Sequence, residues 1–488
     1  MNKTLAILFS LVLPLTTLAQ SKQDGQPNSL VINNVTVIDA TGKPPMPGMT
    51  VVIRDGRIAT IARGLKAKMA AGTRVIDGSG KYLIPGLWDM HVHEWDKDYF
   101  LPLFIVNGIT GVRDMFGPLA LIKQWREEMK AGTLTGPHII AAGQIVDGPK
   151  PVWPGSIAVS NAEDGVKAVN KVKQDGSDFV KVYSLLPRDG FFAIAAEAKR
   201  QGMVFAGHVP VSVTAAEASD AGQKSIEHLT GLFSGCSSKE EELMKASLER
   251  KETGLAGFVK SFVEDGAKAL ESYDDKKAAA LFARFKKNGT WMTPTLTVLR
   301  AIAYVGDEDF RNDPRMKYVP PFLKYGMWGP TAFGLNIRTP GDNAIAKKLF
   351  QKQLEMVGAM NRAGVDILAG TDTPNPYVFP GFSLHDELAL LVKAGLTPMQ
   401  ALQAATRNAA RYLGMLDSTG TIEQGKLADL VLLDANPLAD INSTRKIQAV
   451  IVGGRLIDRA ALDEMLGKIE AMANAHVQPA RATALKKR

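Results

Sequence analysis

Residues 29–38, Ser29-Leu-Val-Ile-Asn-Asn-Val-Thr-Val-Ile38, are β-branched and partly alternate apolar with polar positions. Val51-Val-Ile-Arg-Asp-Gly-Arg57 runs from an apolar stretch into an Asp-Gly turn. Both patterns predict strands. Near the other end, Gly425-Lys-Leu-Ala-Asp-Leu-Val-Leu-Leu-Asp434 and Ala449-Val-Ile-Val-Gly-Gly454 have the same character. Two β segments flanking a long middle predict one small composite β-sandwich domain built from both chain ends. The middle repeats short apolar runs, each followed by an amphipathic stretch. The runs predict strands over 86–93, 109–113, 138–142, 179–183, 203–208, 225–228, 291–298 and 365–372, with clear helices over 161–174 and 190–201. Eight β-α units with short buried strands predict an α/β fold, a (β/α)8 TIM-like barrel.

After the last predicted strand, Thr397 is an N-cap, Pro398 fits the first helical position and Gln400 completes a capping box. Gly414 suits the helix stop. The rhythm breaks over 229–289, which is long and charged, and over 300–343, which is rich in Pro, Gly and aromatics. Insertions after barrel strands lie either over the active-site mouth or on the surface away from it, and the pattern alone leaves both open. The expected organisation is therefore a signal peptide (1–19), the N-terminal part of the β-domain (20–80), the barrel with its two insertions (81–414), the C-terminal part of the β-domain (415–475) and a tail (476–488).

The signal peptide rests on Lys3, an apolar run over 5–15 interrupted by Ser10 and Pro14, and small residues at Thr17 and Ala19. That run is shorter than the roughly 20 apolar residues a membrane span needs. A secreted or periplasmic protein without stable membrane insertion is expected. With 488 residues and 45% hydrophobic content the chain can bury a large core. Its net charge of +8 comes from basic residues scattered along the chain, without the concentrated stripe of a nucleic-acid binder. Cys236 is the only cysteine, which excludes an intramolecular disulfide and any cysteine-based metal site.

The chemistry lies in where the histidines fall. Four of the seven, His91, His93, His208 and His228, end predicted strands, and Lys181 and Asp372 hold comparable positions. Strand C-termini of a barrel converge on one face. His91 and His93 are two apart on one strand and so share a side, where two imidazoles can grip one cation. Alone, such a pair can equally be ordinary polar residues at a strand end. Lys181 lies in the apolar run Phe179-Val-Lys-Val-Tyr183. There it either pairs with a carboxylate or loses its proton to burial, and a neutral amine can react with CO2 to give a carbamate. Asp372, in Gly370-Thr-Asp, can ligate a metal or form an Asx turn.

These segments resemble the amidohydrolase superfamily, within it the imidazolonepropionase- and prolidase-like branch. The matching features are Ile84-Pro-Gly-Leu-Trp-Asp-Met-His-Val-His93, Gly108-Ile-Thr-Gly-Val-Arg-Asp114, Phe179-Val-Lys-Val182, Gly207-His208, Ile226-Glu-His228 and Ala369-Gly-Thr-Asp372, with the strand from Gly425 to Asp434. The resemblance implies a secreted, binuclear metal-dependent amidohydrolase. His91, His93 and Asp372 would bind the more buried metal and His208 and His228 the more exposed one. A carboxylated Lys181 and a hydroxide would bridge them. Zinc is the default, since His and carboxylate suit it. Asp372 would be catalytic, taking the proton of the attacking hydroxide and passing it to the departing amine. The expected substrate is a small molecule with an amide-type C–N bond, such as a dipeptide, N-acyl amino acid or cyclic amide. A lactonase or esterase on the same site and a silent binding protein on the same scaffold are the alternatives. Tyr183 is expected to touch substrate. His385 either touches substrate or packs on its helix, and Arg113 binds a substrate carboxylate or forms a structural ion pair. Neither His138 nor His476 is given a role, and the sequence leaves homo-oligomerisation open.

Overall fold

The computed structural model describes residues 29–65, 72–251 and 254–475. The expected signal peptide (1–19) and tail (476–488) lie outside the described residues. Among the described residues five strands come first: β1 (Ser29–Val37), β2 (Met46–Arg54), β3 (Arg57–Arg63), β4 (Arg74–Asp77) and β5 (Tyr82–Pro85). Nine short strands follow: β6 (Leu87–Val92), β7 (Ile109–Asp114), β8 (His138–Ala141), β9 (Ile145–Asp147), β10 (Ile157–Ala158), β11 (Val180–Val182), β12 (Phe205–Gly207), β13 (Ser225–Glu227) and β14 (Trp291–Thr293). Three more come last: β15 (Leu430–Leu433), β16 (Ile447–Val452) and β17 (Arg455–Asp458).

Both ends share one sheet. Its order is β17-β16-β15-β5-β1-β2-β3, with β4 beside β1. The apolar side chains of β1, β2, β5, β15 and β16, Ile32, Ile53, Leu83, Leu432 and Ile451 among them, pack into a core of their own. The sequence-distant halves meet at β5 and β15, where Tyr82 to Pro85 pair antiparallel with Leu433 to Leu430.

The middle strands pair in parallel as β6-β7-β8 and as β10-β9-β11-β12-β13-β14. Single parallel bridges join Met292 to Ile367 and Val92 to Thr373, so the segment 367–373 lies between β14 and β6. Helices separate the strands as the apolar periodicity predicts. The helix Ala162–Gln174 is capped by Asn161, carries Glu163 and Asp164 in its first turn and has Lys171 and Lys173 in its last, all favourable to its dipole. The helix Arg188–Gln201 ends on Gly202 in the left-handed conformation.

Three expectations are corrected. The strand predicted over 291–298 stops at Thr293, because Pro294 has no N–H to continue a ladder. Thr295 then turns left-handed and the helix Leu296–Tyr304 begins. Over 365–372 only the bridge at Ile367 forms, with the second just beyond at Thr373, not a regular strand. The helix predicted from Thr397 to Gly414 breaks into Pro398–Ala404 and Arg407–Tyr412. The capping box forms as expected. The break comes because the Ala404 and Ala405 carbonyls accept instead from Ala369 N (3.1 Å) and Trp88 N (2.7 Å) on neighbouring segments. Among the described residues no helix is long and apolar enough to cross a membrane.

Candidate active site

β6 carries His91, and His93 follows just past its end. The segment 369–373 is laced to it: Met90 N donates to Ala369 O (2.9 Å), Asp372 N to His91 O (2.8 Å) and His93 N to Thr373 O (2.9 Å). Gly370 permits this approach, since a Cβ there would lie 2.6 Å from Thr293 Cγ2 and 3.0 Å from His91 Cβ. Asp372 Oδ1 then sits 3.1 Å from His93 Nε2 and 3.4 Å from His91 Nε2, while its Oδ2 is 3.6 Å from His228 Nδ1. His228 takes a left-handed φ of 58°, an uncommon conformation for a histidine, and its Nδ1 lies 2.7 Å from Thr295 Oγ1.

On the other side β11 presents Lys181, which is fully buried. His208 follows β12. Gly207 before it has φ +141°, and a Cβ there would strike Val182 O at 2.1 Å. The His208 ring stacks on Tyr183 with centroids 3.9 Å apart and its Nδ1 is 2.8 Å from Ser184 Oγ. Ring centroids run 5.3 Å from His91 to His93, 4.4 Å from His91 to His228 and 4.9 Å from His228 to His208. His91, His93, Lys181, His208, His228 and Asp372, with Tyr183, all line one cavity of about 1350 Å³.

The electrostatics suit a cation. Burial, reinforced by the Lys181 charge, holds His91 and His208 well below the usual histidine range, and His228 is pushed down to about 4. Neutral imidazoles are the ligating form. Burial pushes Lys181 down to about 8. Burial alone would raise the Asp372 carboxyl, but His228 and His93 outweigh it and hold the group below its ordinary value. The ligand atoms of His91, His228 and Asp372 all lie within 4.8 Å of one another. His91 Nε2 and Lys181 Nζ are buried without a hydrogen-bond partner, which costs free energy unless a ligand meets them. By donor type and placement the residues fit a divalent metal site.

The amidohydrolase family matches residues 82–457 of the chain, well over half its length. The chain belongs to the amidohydrolase family. Over 98 residues it is 39% identical to an imidazolonepropionase of Agrobacterium fabrum, a stretch covering 19% of this chain and 22% of the relative. Among solved structures it is similar to the bottromycin amidohydrolase (TM-score 0.73, 25% identity, 92% of this chain and 91% of that one). A Xaa-Pro dipeptidase with bound methionine shares the fold (TM-score 0.62, 20% identity, 88% and 100% covered).

Around this amidohydrolase site stand residues that the histidine pattern did not single out. Glu227, the last residue of β13 and the one before His228, is fully buried and accepts from His91 Nδ1 at 2.8 Å. Asp89, two positions before His91, accepts from Thr371 N (3.0 Å) and Thr371 Oγ1 (2.7 Å), fixing β6 against the Asp372 segment. Glu387 accepts from Leu296 N (3.0 Å) and Thr297 N (2.8 Å), anchoring the turn that holds Thr295 against His228. The acidic neighbours of the motif histidines were the available signal.

For two residues with two readings, the geometry favours the structural one over substrate contact. Arg113 lies outside the cavity lining and is consumed by Glu227 (2.9 and 3.0 Å), Met90 O (2.6 Å), Tyr412 Oη (2.9 Å) and Ser225 Oγ (3.0 Å). The structural ion pair is the reading that holds. His385 is buried away from the cavity, with Nδ1 3.0 Å from Thr444 Oγ1, so packing is its role. Both insertions do reach the cavity, through Phe233, Leu243 and Ser247 of the first and Met327 and Ala332 of the second.

Proposed function

We propose that this amidohydrolase hydrolyses an amide-type C–N bond in a small molecule, on a (β/α)8 barrel, with two divalent cations. The observation that carries the reading is the convergence of six side chains from five sequence-distant segments on one cavity, two of them with buried nitrogens lacking partners. His91, His93 and Asp372 would hold one cation, His208 and His228 the other, with Lys181 between them as a carbamate. The carbamate forms when the neutral Lys181 amine adds to CO2 and releases a proton. Such cations, zinc by donor preference, supply Lewis acidity and a hydroxide at neutral pH.

The chain's own residues do the rest. Asp372, whose carboxyl is held below its ordinary value, accepts the proton released as the nucleophile adds to the carbonyl carbon. It then delivers that proton to the amine as the C–N bond breaks. Tyr183, on the lining beside His208, would donate to the oxygen that gains charge. Secretion is part of the proposal, and an exported protein beginning at Gln20 would support it.

The test is a metal-replete preparation assayed against dipeptides, N-acyl amino acids and lactones, with metal content measured on the same sample. Two divalent ions per chain and amide cleavage are expected, with near-total loss of turnover in Asp372→Asn. Full activity in that variant removes Asp372 from proton transfer. Protein that turns over nothing and holds no metal sinks the reading.

A further inference from the structure

The cavity is much larger than the histidine cluster requires. At about 1350 Å³ it exceeds the roughly 300–1,000 Å³ typical of small-molecule pockets. Away from the histidines its wall is mostly apolar, with Ser247, Ser261 and the buried Gln353 as its uncharged polar members. Leu243 of the first insertion, Val298, Leu299 and Ile302 of the helix Leu296–Tyr304, and Leu349 are buried side chains that line it. Among the described lining residues, the charged groups beyond the histidine end are Arg250 and Asp265, and these pair with each other. As an ion pair they offer no net charge.

The mouth continues the same chemistry. Trp95, Val152, Trp153, Leu185 and Met327 all line the cavity, yet each is between 36% and 49% exposed. Phe322, 58% exposed, lies against Trp95 with ring centroids 6.4 Å apart. Large apolar side chains gathered at one opening, drawn from four separate loops, mark a surface that meets apolar material.

We infer that the site takes amides whose acyl side is an extended, uncharged apolar arm, an N-acyl amino acid of medium or long chain rather than a dipeptide. This rests on the hydrolase reading above. A dipeptide carries a charge at each end, and whichever end entered the apolar chamber would be buried without a partner. An acyl amino acid has a single charged end, the carboxylate on its amine side. Its other end is hydrocarbon, which the chamber and the mouth solvate along their whole length. The arm runs from the carbonyl at the histidines, past Leu299 and Ile302, under the roof at Leu243.

The experiment is a homologous series of N-acylglycines from acetyl through hexanoyl and decanoyl to tetradecanoyl. Hydrolysis is followed by glycine release in the metal-replete enzyme. Binding is measured by calorimetry with Asp372→Asn. Affinity is expected to rise about fourfold per added methylene until the chamber is full, with a negative heat-capacity change. The value of kcat/KM should rise in parallel. Ser247→Trp, which fills the roof, should lower the decanoyl-to-acetyl ratio of affinities at least tenfold. Affinity independent of chain length, or highest for acetyl, overturns the inference even if every member is cleaved. Chain-dependent binding without cleavage supports the chamber and removes the hydrolase reading instead.

Discussion

Replacing Glu227 by glutamine should damage the site and the fold by separable amounts. The carboxylate is fully buried and takes hydrogen bonds from His91 Nδ1 (2.8 Å), Ser225 Oγ (2.5 Å) and Arg113 Nη2 (2.9 and 3.0 Å). It keeps the His91 proton on Nδ1 and leaves Nε2 bare toward Asp372. Glutamine has the same shape but one acceptor oxygen and an NH2 that only donates. If the NH2 faces His91, the imidazole must accept there and move its proton to Nε2, the atom needed for a cation. If it faces Arg113, two donors meet. In both cases Arg113, between the rings of Phe179 and Tyr412, loses its countercharge. Stranding a buried charge costs about 3–5 kcal/mol. Disturbing the partner of a ligating histidine costs about 10- to 100-fold in metal affinity. Competition with a chromophoric chelator reads the second quantity and guanidinium unfolding the first. Ser225→Ala removes one neutral hydroxyl, a donor to Glu227 and an acceptor from Arg113 Nη1, which Tyr412 Oη also serves, and should cost about 1 kcal/mol while leaving metal affinity alone. The double variant Arg113→Met with Glu227→Gln should recover most of the stability but none of the affinity. Wild-type zinc affinity and an unchanged unfolding midpoint in Glu227→Gln would refute the argument.

Trp153 Nε1 can only donate, so Tyr183 Oη accepts from it at 2.9 Å and keeps its own proton for the cavity. Trp153→Phe should lower kcat about fivefold with little change in KM, and add nothing to Tyr183→Phe; additive losses would break the link. Asp386 meets Arg300, Arg315 and Arg445 at 2.9, 2.9 and 2.7 Å, and despite burial these hold its carboxyl far below the usual range. Its stabilisation is therefore complete above the unfolded carboxyl pKa of about 4 and is lost as pH falls further. Asp386→Asn should cost about 3 kcal/mol at pH 7 and flatten the fall of stability below pH 4; an unchanged acid profile would sink this. Lys181→Ala should lower the metal content per chain, and the native mass of metal-loaded wild type should include one CO2; an unmodified mass contradicts the carbamate.

What could be read from sequence was local. His91 and His93 share a face because strand side chains alternate, and Lys181 and Tyr183 obey the same period. Each motif is a short apolar run with its polar residue in or just past it, so five segments yield their candidate ligands from a few residues of context. The groups that aim those ligands are not local. Glu227 reaches His91 across 136 positions, Asp89 reaches Thr371 across 282, and Glu387 reaches Leu296 across 91. None has a spacing that a linear pattern can carry. The same distance explains the predicted strand at 365–372: its apolar residues are real, but its backbone is shared between β14 and β6 by single bridges, so no ladder of its own forms.

His385 and Glu387 make the point on one helix. Residues two apart on a helix point to different sides. His385 therefore turns to Thr444, while Glu387 turns to the start of the helix Leu296–Tyr304 and so to Thr295 and His228. A histidine in a chain with few histidines draws attention by residue type. The carboxylate two places on is the one whose direction serves the site, and helix geometry assigns that direction once the facing elements are known.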